Sequence, residues 1–297
     1  MSRFVQRFVR HPLEAVCLVL VLGVFRALPI DTASALGGWL ARMIGPRLDV
    51  SRVAIANLKR VFPDLGDADV NNILRGLWEN LGRTLAEHPH IAKFDPYDGS
   101  GRIEIVGKEY CDSLYADDKP GVFFSAHLAN WELLPLIATR QGRDVHLAYR
   151  AMNNPLVDKL FRRGRDAIQA GLFAKGSKGA RVALDVLNKG GHVAMLVDQK
   201  MNDGIPVPFM GIEAMTAPAV AQFSLRFDCP VVPVRIERLQ GARFRITAYP
   251  PLVKPDTGDR QRDIAAMMTD VNKHLSEWIR ERPEQWLWLH RRWPNAD

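Results

Sequence analysis

The sequence predicts an α/β protein with a mixed, largely parallel central sheet flanked by helices, and three observations carry that expectation. From residue 103 onward, short apolar runs alternate with segments of helical period, the rhythm of β-α-β units. The 297 residues are 47% hydrophobic and 25% charged, enough for one large packed domain with appendages. Polar residues stand at the ends of several apolar runs, where open α/β sheets place their chemistry.

The chain opens with Arg3, Arg7 and Arg10 ahead of the apolar run Ala15 to Phe25, which Arg26 interrupts before Leu28 and Pro29. That run is eleven residues, whereas a spanning helix takes about 20. A helix lying at, or dipping into, one leaflet is therefore expected, its terminus on the cytoplasmic side. No small-residue cleavage site follows, which argues against a removed signal peptide and leaves an ordinary core helix as the alternative. Residues 1–30 are set apart as a membrane-anchoring segment. Residues 31–297 form the main domain, helical over 31–100 and α/β over 101–297.

In the helical part, Leu36, Leu40 and Ile44, and later Ile73, Leu77, Leu81 and Leu85, recur every three or four residues. One helix ends at Pro63 and Asp67 starts the next. The α/β part reads as strand 121–126, helix 131–141, strand 144–149, helix 155–169, strand 171–174, helix 178–189 and strand 192–197. Strands 230–237 and 243–249 are close enough to form a hairpin, and a long amphipathic helix spans about 260–281. Between them, Gly204-Ile-Pro-Val-Pro-Phe-Met-Gly211 is too proline-rich for regular structure and reads as a loop, packed in the core or lining an apolar slot. The tail, with Trp286, Trp288 and Trp293 beside Arg291 and Arg292, reads as an edge strand sealing the sheet, with a membrane-surface or phosphate-gripping segment as the alternative. No internal repeat or linker divides the domain.

The formal charge of +7 is unevenly placed: Arg143 to Lys189 carries ten Lys or Arg against four Asp. An anionic partner is implied, be it nucleic acid, phosphorylated lipid, membrane surface or an acidic carrier protein, with a solvated basic face as the bland alternative. Nucleic acid lacks support, because no recognition motif or aromatic platform accompanies the charge. Cys17, Cys111 and Cys229 are too scattered for a disulfide framework or a zinc site, which suits a reducing compartment. His88-Pro-His90 lacks further metal ligands and reads as a surface turn.

The chemistry concentrates at His127-Leu-Ala-Asn-Trp-Glu132, directly after the run Gly-Val-Phe-Phe-Ser-Ala. Residues five apart do not share a helix face, so the pair straddles a junction, with His127 closing a strand and Asn130 capping the following helix. Arg150 and Asp198 end two further strands, which gathers a base, a cation and a second carboxylate on one rim. A neutral imidazole backed by a carboxylate suits proton abstraction from a hydroxyl. Gly-x-Ser-x-Gly is absent, so no serine nucleophile stands in the usual elbow, and the activated hydroxyl belongs to a substrate that attacks an acyl group directly. Gly171-Leu-Phe-Ala-Lys-Gly-Ser-Lys178 departs from a phosphate loop in its last residues.

With these residues in place, the chain resembles the late acyltransferases of lipid A biosynthesis, the lauroyl and myristoyl transferases within the lysophospholipid acyltransferase superfamily. His127-Leu-Ala-Asn-Trp-Glu132 looks like their His-x4-Glu signature, where most glycerolipid acyltransferases carry His-x4-Asp. Arg150 to Pro155, Asp198-Gln199, Gly204 to Gly211, Ala217-Pro218 and Pro283 to Trp293 resemble the other family blocks, so the likeness runs over nearly the whole chain. The resemblance implies a glycerol-3-phosphate acyltransferase-like fold, with 31–297 as the acyltransferase domain on the cytoplasmic face of a bacterial inner membrane. It implies His127 as general base and Glu132 as its orienting partner. Arg150, Asp198, Gly164 and Asn130 would then be substrate-binding positions, Arg150 meeting phosphate or the thioester oxygen. The implied reaction moves a fatty acyl group from acyl carrier protein to a hydroxyl of a 3-hydroxyacyl chain on a Kdo-bearing lipid A precursor, with no cofactor, no metal and no covalent acyl-enzyme. Another membrane lipid as acceptor, or a catalytically silent membrane-binding homologue, are the competing expectations.

Overall fold

The computed structural model of the chain describes residues 6–116, 119–149, 151–174 and 176–293. After one π-helical turn, helix α1 (His11–Ala27) leads into α2 (Ile30–Ile44), α3 (Ser51–Val61) and α4 (Asp67–Glu87). Phe8–Ala27 forms 20 continuous helical residues of mean hydropathy 1.8, long and apolar enough by length and composition alone to cross a membrane. The helix is thus longer than its uninterrupted apolar run of eleven residues. The small residues of α2 set its packing. A Cβ on Gly37 would sit 2.5 Å from the Ala86 Cβ and 2.6 Å from the Gly82 carbonyl oxygen, so only glycine lets α2 close on α4.

The α/β part supplies strands β1 (Ile103–Val106), β2 (Gly121–Ser125), β3 (His146–Tyr149), β4 (Gly171–Ala174) and β5 (His192–Leu196), then β8 (Val231–Gln240) and β9 (Arg243–Ala248). They form a seven-stranded sheet in the order β1-β9-β8-β2-β5-β3-β4. Every neighbouring pair is parallel except the β8–β9 hairpin. β2 lies at the centre and is buried at all five positions, as its unbroken apolar run requires. One face of the sheet packs against helices α8 (Ser177–Asn188), α9 (Ala219–Phe227) and α10 (Arg260–Glu281). In α10, Ile264, Met267, Met268, Val271, Leu275, Trp278 and Ile279 fall on the buried side, three or four residues apart. Asp259 caps it by accepting from the Gln261 and Arg262 amides. The other face packs against α5 (Lys108–Ser113) and residues 131–145.

Four expectations are corrected. Helix 131–141 is broken into a 3₁₀ turn, Trp131–Leu133, and a short α6, Leu136–Thr139. Pro135 between them cannot donate to the preceding turn. Helix α7 runs Pro155–Arg165 and gives way to a 3₁₀ turn before Gln169 takes a left-handed φ of 60°. The Gly204–Gly211 stretch is not a loop: it lies in strand β6 (Lys200–Phe209), antiparallel to β7 (Ile212–Thr216). Pro206 and Pro208 are two residues apart, so both missing N–H groups fall on one edge. Met210 and Gly211 both take positive φ, 57° and 84°, the requirement of a tight two-residue hairpin. The tail is no edge strand either: beyond a 3₁₀ turn at Pro283–Gln285 it pairs through an isolated bridge between Leu128 and Trp286. Trp286, Trp288 and Trp293 are buried in the core, which excludes the membrane-surface alternative for them.

Candidate active site

β2 and β5 are in register, Ser125 opposite Leu196, so the residues two beyond each strand meet at the same rim. These are His127 and Asp198. The Asp198 carboxylate accepts from His127 Nδ1 at 2.8 Å through one oxygen and from the His127 backbone amide at 3.1 Å through the other. Trp286 donates its indole N–H to the second oxygen at 2.7 Å. Asp198 is fully buried. Burial opposes its ionisation, but the charge and hydrogen bond of His127, with His290 and Trp286, hold the carboxyl well below the usual range. A carboxylate on Nδ1 fixes the proton there and leaves Nε2 as the basic nitrogen.

The expected pairing of His127 with Glu132 is therefore corrected. Glu132 sits in the 3₁₀ turn and accepts a bidentate pair from Arg165 of α7, 2.6 Å from Nε and 2.5 Å from Nη2. Burial would raise its carboxyl, yet the Arg165 guanidinium outweighs that and lowers it. The carboxylate on the imidazole is Asp198, where Glu132 was expected. It is fully buried behind the imidazole and is not among the residues lining the cavity described below.

The other candidates fall differently. Asn130 does not cap a helix: its side-chain amide donates to Glu87 at 2.8 Å, on the protein side of the loop. It is buried there, supports the loop through Glu87, and is not among the residues lining the cavity described below. Gly164 lies in α7, where a Cβ would come within 2.3 Å of His88 Nε2, so it is a close-packing position. That also corrects His88-Pro-His90, which is buried rather than a surface turn. Arg150 lies outside the described residues. Among the described residues, no group of three or more His, Cys, Asp or Glu could hold a metal ion.

Residues 127–130 are held from two sides. Ala129 takes a left-handed φ of 47°, uncommon for a residue with a Cβ. The tail fixes it: the Ala129 amide donates to the Gln285 carbonyl at 3.0 Å, and the Leu287 amide donates to the His127 carbonyl at 3.1 Å. From α4, Asn80 and Thr84 donate to the Ala129 carbonyl at 3.1 and 3.0 Å. Behind them, Glu87 is fully buried and pairs with Arg238 of β8. Sequence reasoning missed this set, since residues 80, 130, 238 and 285 share no local pattern.

His127 and Glu132 both line a cavity of about 280 Å³ between the sheet and residues 131–145. Its walls are apolar, including Phe123, Leu134, Ile137, Val145, Leu147 and Ala194, while Tyr149 and Arg165 join His127 and Glu132 in lining it. Tyr115 and Cys111 line it too. Tyr115 packs on His192 with ring centroids 4.1 Å apart, and His192 is the register partner of Gly121, so Tyr115 stands at the amino ends of β2 and β5. From there to His127 is six residues of strand, about 20 Å at roughly 3.3 Å per residue. Burial pushes the Cys111 thiol up to about 12, so it stays protonated and is no nucleophile. The Ser125 hydroxyl, two residues before His127 on the same strand face, lines the cavity, is buried and has no hydrogen-bond partner among the described residues.

The geometry is that of a buried Asp–His pair opening on a deep apolar slot, and comparison with known proteins gives the same direction. A family model described as bacterial lipid A biosynthesis acyltransferase matches residues 4–295. The chain is also similar to the lipid A biosynthesis lauroyltransferase of Escherichia coli (strain K12), 25% identical over 249 residues that cover 82% of this chain and 78% of that one.

Proposed function

We propose, from the premise that the chain belongs to the bacterial lipid A biosynthesis acyltransferases and is an acyltransferase acting on lipid A, that His127 Nε2 is the general base of an acyl-carrier-protein-dependent transfer. The acceptor is a hydroxyl of a 3-hydroxyacyl chain on a Kdo-bearing lipid A precursor. Nε2 removes the hydroxyl proton as the oxygen attacks the thioester carbonyl; Asp198 stabilises the imidazolium, which returns the proton to the departing thiolate. One ester forms and one thioester breaks, with no cofactor consumed. The Ser125 hydroxyl is placed to hydrogen-bond the acyl carbonyl.

The single observation behind this reading is the position of His127, held on Nδ1 by a buried carboxylate and set in the wall of an apolar cavity. A slot of about 20 Å accepts a fatty chain comparable to one bilayer leaflet, about half of the ~30 Å hydrocarbon core. The basic α7 beside the slot, with Arg162 and Arg163 exposed, suits an acidic carrier protein or a phosphorylated acceptor. Glu132 acts at one remove, locking Arg165 and hence α7 onto the turn beside the base.

Attachment is placed at the cytoplasmic face of the inner membrane, with α1 in the plane of one leaflet. Both ends of α1 are tied to the protein body: Asn154, the N-cap of α7, donates to the His11 carbonyl and to Glu14, and His90 bonds the Phe25 carbonyl. A spanning orientation would draw the arginines of α7 into hydrocarbon. The test is transfer from a lauroyl or myristoyl carrier thioester to the purified precursor. His127→Ala is expected to remove turnover while melting like the wild type, and mass spectrometry of lipid A from producing cells identifies acceptor and acyl group together. Wild-type turnover in His127→Ala rejects the base; a mass change confined to another lipid rejects the acceptor.

A further inference from the structure

We propose that the outer face of α2, continued through Leu48 and Val50, is a second membrane-docking surface that seats the chain on an anionic phospholipid bilayer beside α1. The inference rests on the in-plane placement of α1 but is independent of the acyl-transfer chemistry. α2 is amphipathic in an inverted sense: its small residues Ala33, Gly37 and Gly38 face α4 and are buried, while its largest apolar residues face out. Trp39 is 59% exposed, Ile44 56% and Met43 49%, and Leu40, Leu48 and Val50 are exposed beside them. The Gly37–Gly82 approach leaves no freedom to rotate this face inward without clash. A cluster of this size on a soluble surface marks an interaction site.

Two features commit the face to a bilayer. Around the face stand Arg42, Arg47, Arg52, Lys59 and Arg60; Arg42 pairs with Glu79, Arg52 with Asp49 and Lys59 with Asp67, so five positive charges meet three negative, and the positive surplus complements an anionic lipid surface. The face is also continuous with α1. Leu28 and Leu36 pack together on the small cluster of Phe25, Ala33 and Ala86, joining the exposed apolar side of α1, which includes Val24 and Leu20, to that of α2. An exposed Trp flanked by basic residues is the composition of an interfacial anchor. The C-terminal tryptophans, buried in the core, are not available for this role.

The test uses the full chain carrying Trp39→Ser, Met43→Ser and Ile44→Ser together, exposed positions whose change leaves the core intact. Binding is measured by co-sedimentation with phosphatidylethanolamine vesicles with and without phosphatidylglycerol. The triple variant is expected to melt like the wild type, to turn over detergent-dispersed acceptor at the wild-type rate, and to bind mixed vesicles at least tenfold more weakly. Arg47→Gln with Arg52→Gln is expected to remove most of the gain that phosphatidylglycerol gives at low salt. Wild-type vesicle binding by the triple variant overturns the proposal, as does a triple variant that loses self-association in sedimentation analysis yet keeps its vesicle binding, which would make the face a contact between copies.

Discussion

His127 meets one carboxylate and lies near another, and the two have separable consequences. Asp198 touches the imidazole directly, so Asp198→Asn can present a donor to Nδ1 and favour the wrong tautomer. A loss of about 10²- to 10⁴-fold in kcat is expected, the range for losing general acid–base catalysis, together with a displaced pH profile of kcat/KM. Glu132 is instead paired with the Arg165 guanidinium. Glu132→Gln is expected to lower the rate while the pH profile keeps its wild-type shape, and Arg165→Met should reproduce it without further loss in the double variant. If Glu132→Gln displaces the profile as Asp198→Asn does, Glu132 contacts the base during turnover. At the opposite end of the slot, Tyr115→Ala removes the ring packed on His192. Competition between carrier thioesters of different chain length is expected to shift toward longer donors, and an unchanged preference would move the slot's end elsewhere.

Elements bring these residues together, and α7 does so through one missing Cβ. Gly164 lets the helix close on His88, whose ring also packs on Phe161 at 4.6 Å. Gly164→Val overpacks that contact and is expected to cost about 1–3 kcal/mol, seen as a lower urea midpoint. Because Arg165 is the next residue, transfer should fall further than stability alone explains; a stable, fully active variant would detach α7 from the site. The same elements explain what the sequence could and could not convey. α10 was legible over its whole length because ten buried residues repeat on one face, and β2 because a central parallel strand is apolar on both sides. His127 and Asp198 were legible as strand ends. Their pairing was not, since it depends on β2 and β5 being neighbours across 71 residues of sequence. Spacing within His127–Glu132 suggested a pair because the Arg165 partner stands 33 residues away. β6 was hidden by its prolines, which an edge tolerates. The tail follows no period at all; it is specified by the partners of Trp286, Gln285 and Leu287.

At the scale of the whole molecule, burial disfavours the protonation of three imidazoles at separate junctions among the described residues. His88 lies between α4 and α7, His90 beneath the end of α1, and His290 on the tail against Asp198. Burial is the leading cause that holds each below the ordinary value of 6.5. An unfolded chain takes up protons at these histidines as pH falls through about 6.5, while the folded chain resists until lower pH. The unfolded state then binds more protons, so stability falls with falling pH, by up to about 1.4 kcal/mol per pH unit for each histidine engaged. Asp198 acts in a lower window: its folded value is depressed, so its contribution is complete above the ordinary carboxylate range and is lost only as acid protonates it below about pH 4. The urea midpoint is therefore expected to decline from about pH 7 to about pH 5 and to steepen again below about pH 4. His88→Gln, which keeps a polar side chain but cannot titrate, should flatten the upper part and leave the lower part alone. A midpoint that stays level or rises on acidification to about pH 5 would mean that these rings are already charged in the folded protein, and that α1, α7 and the tail are joined to the body by ion pairs instead of packed neutral imidazoles.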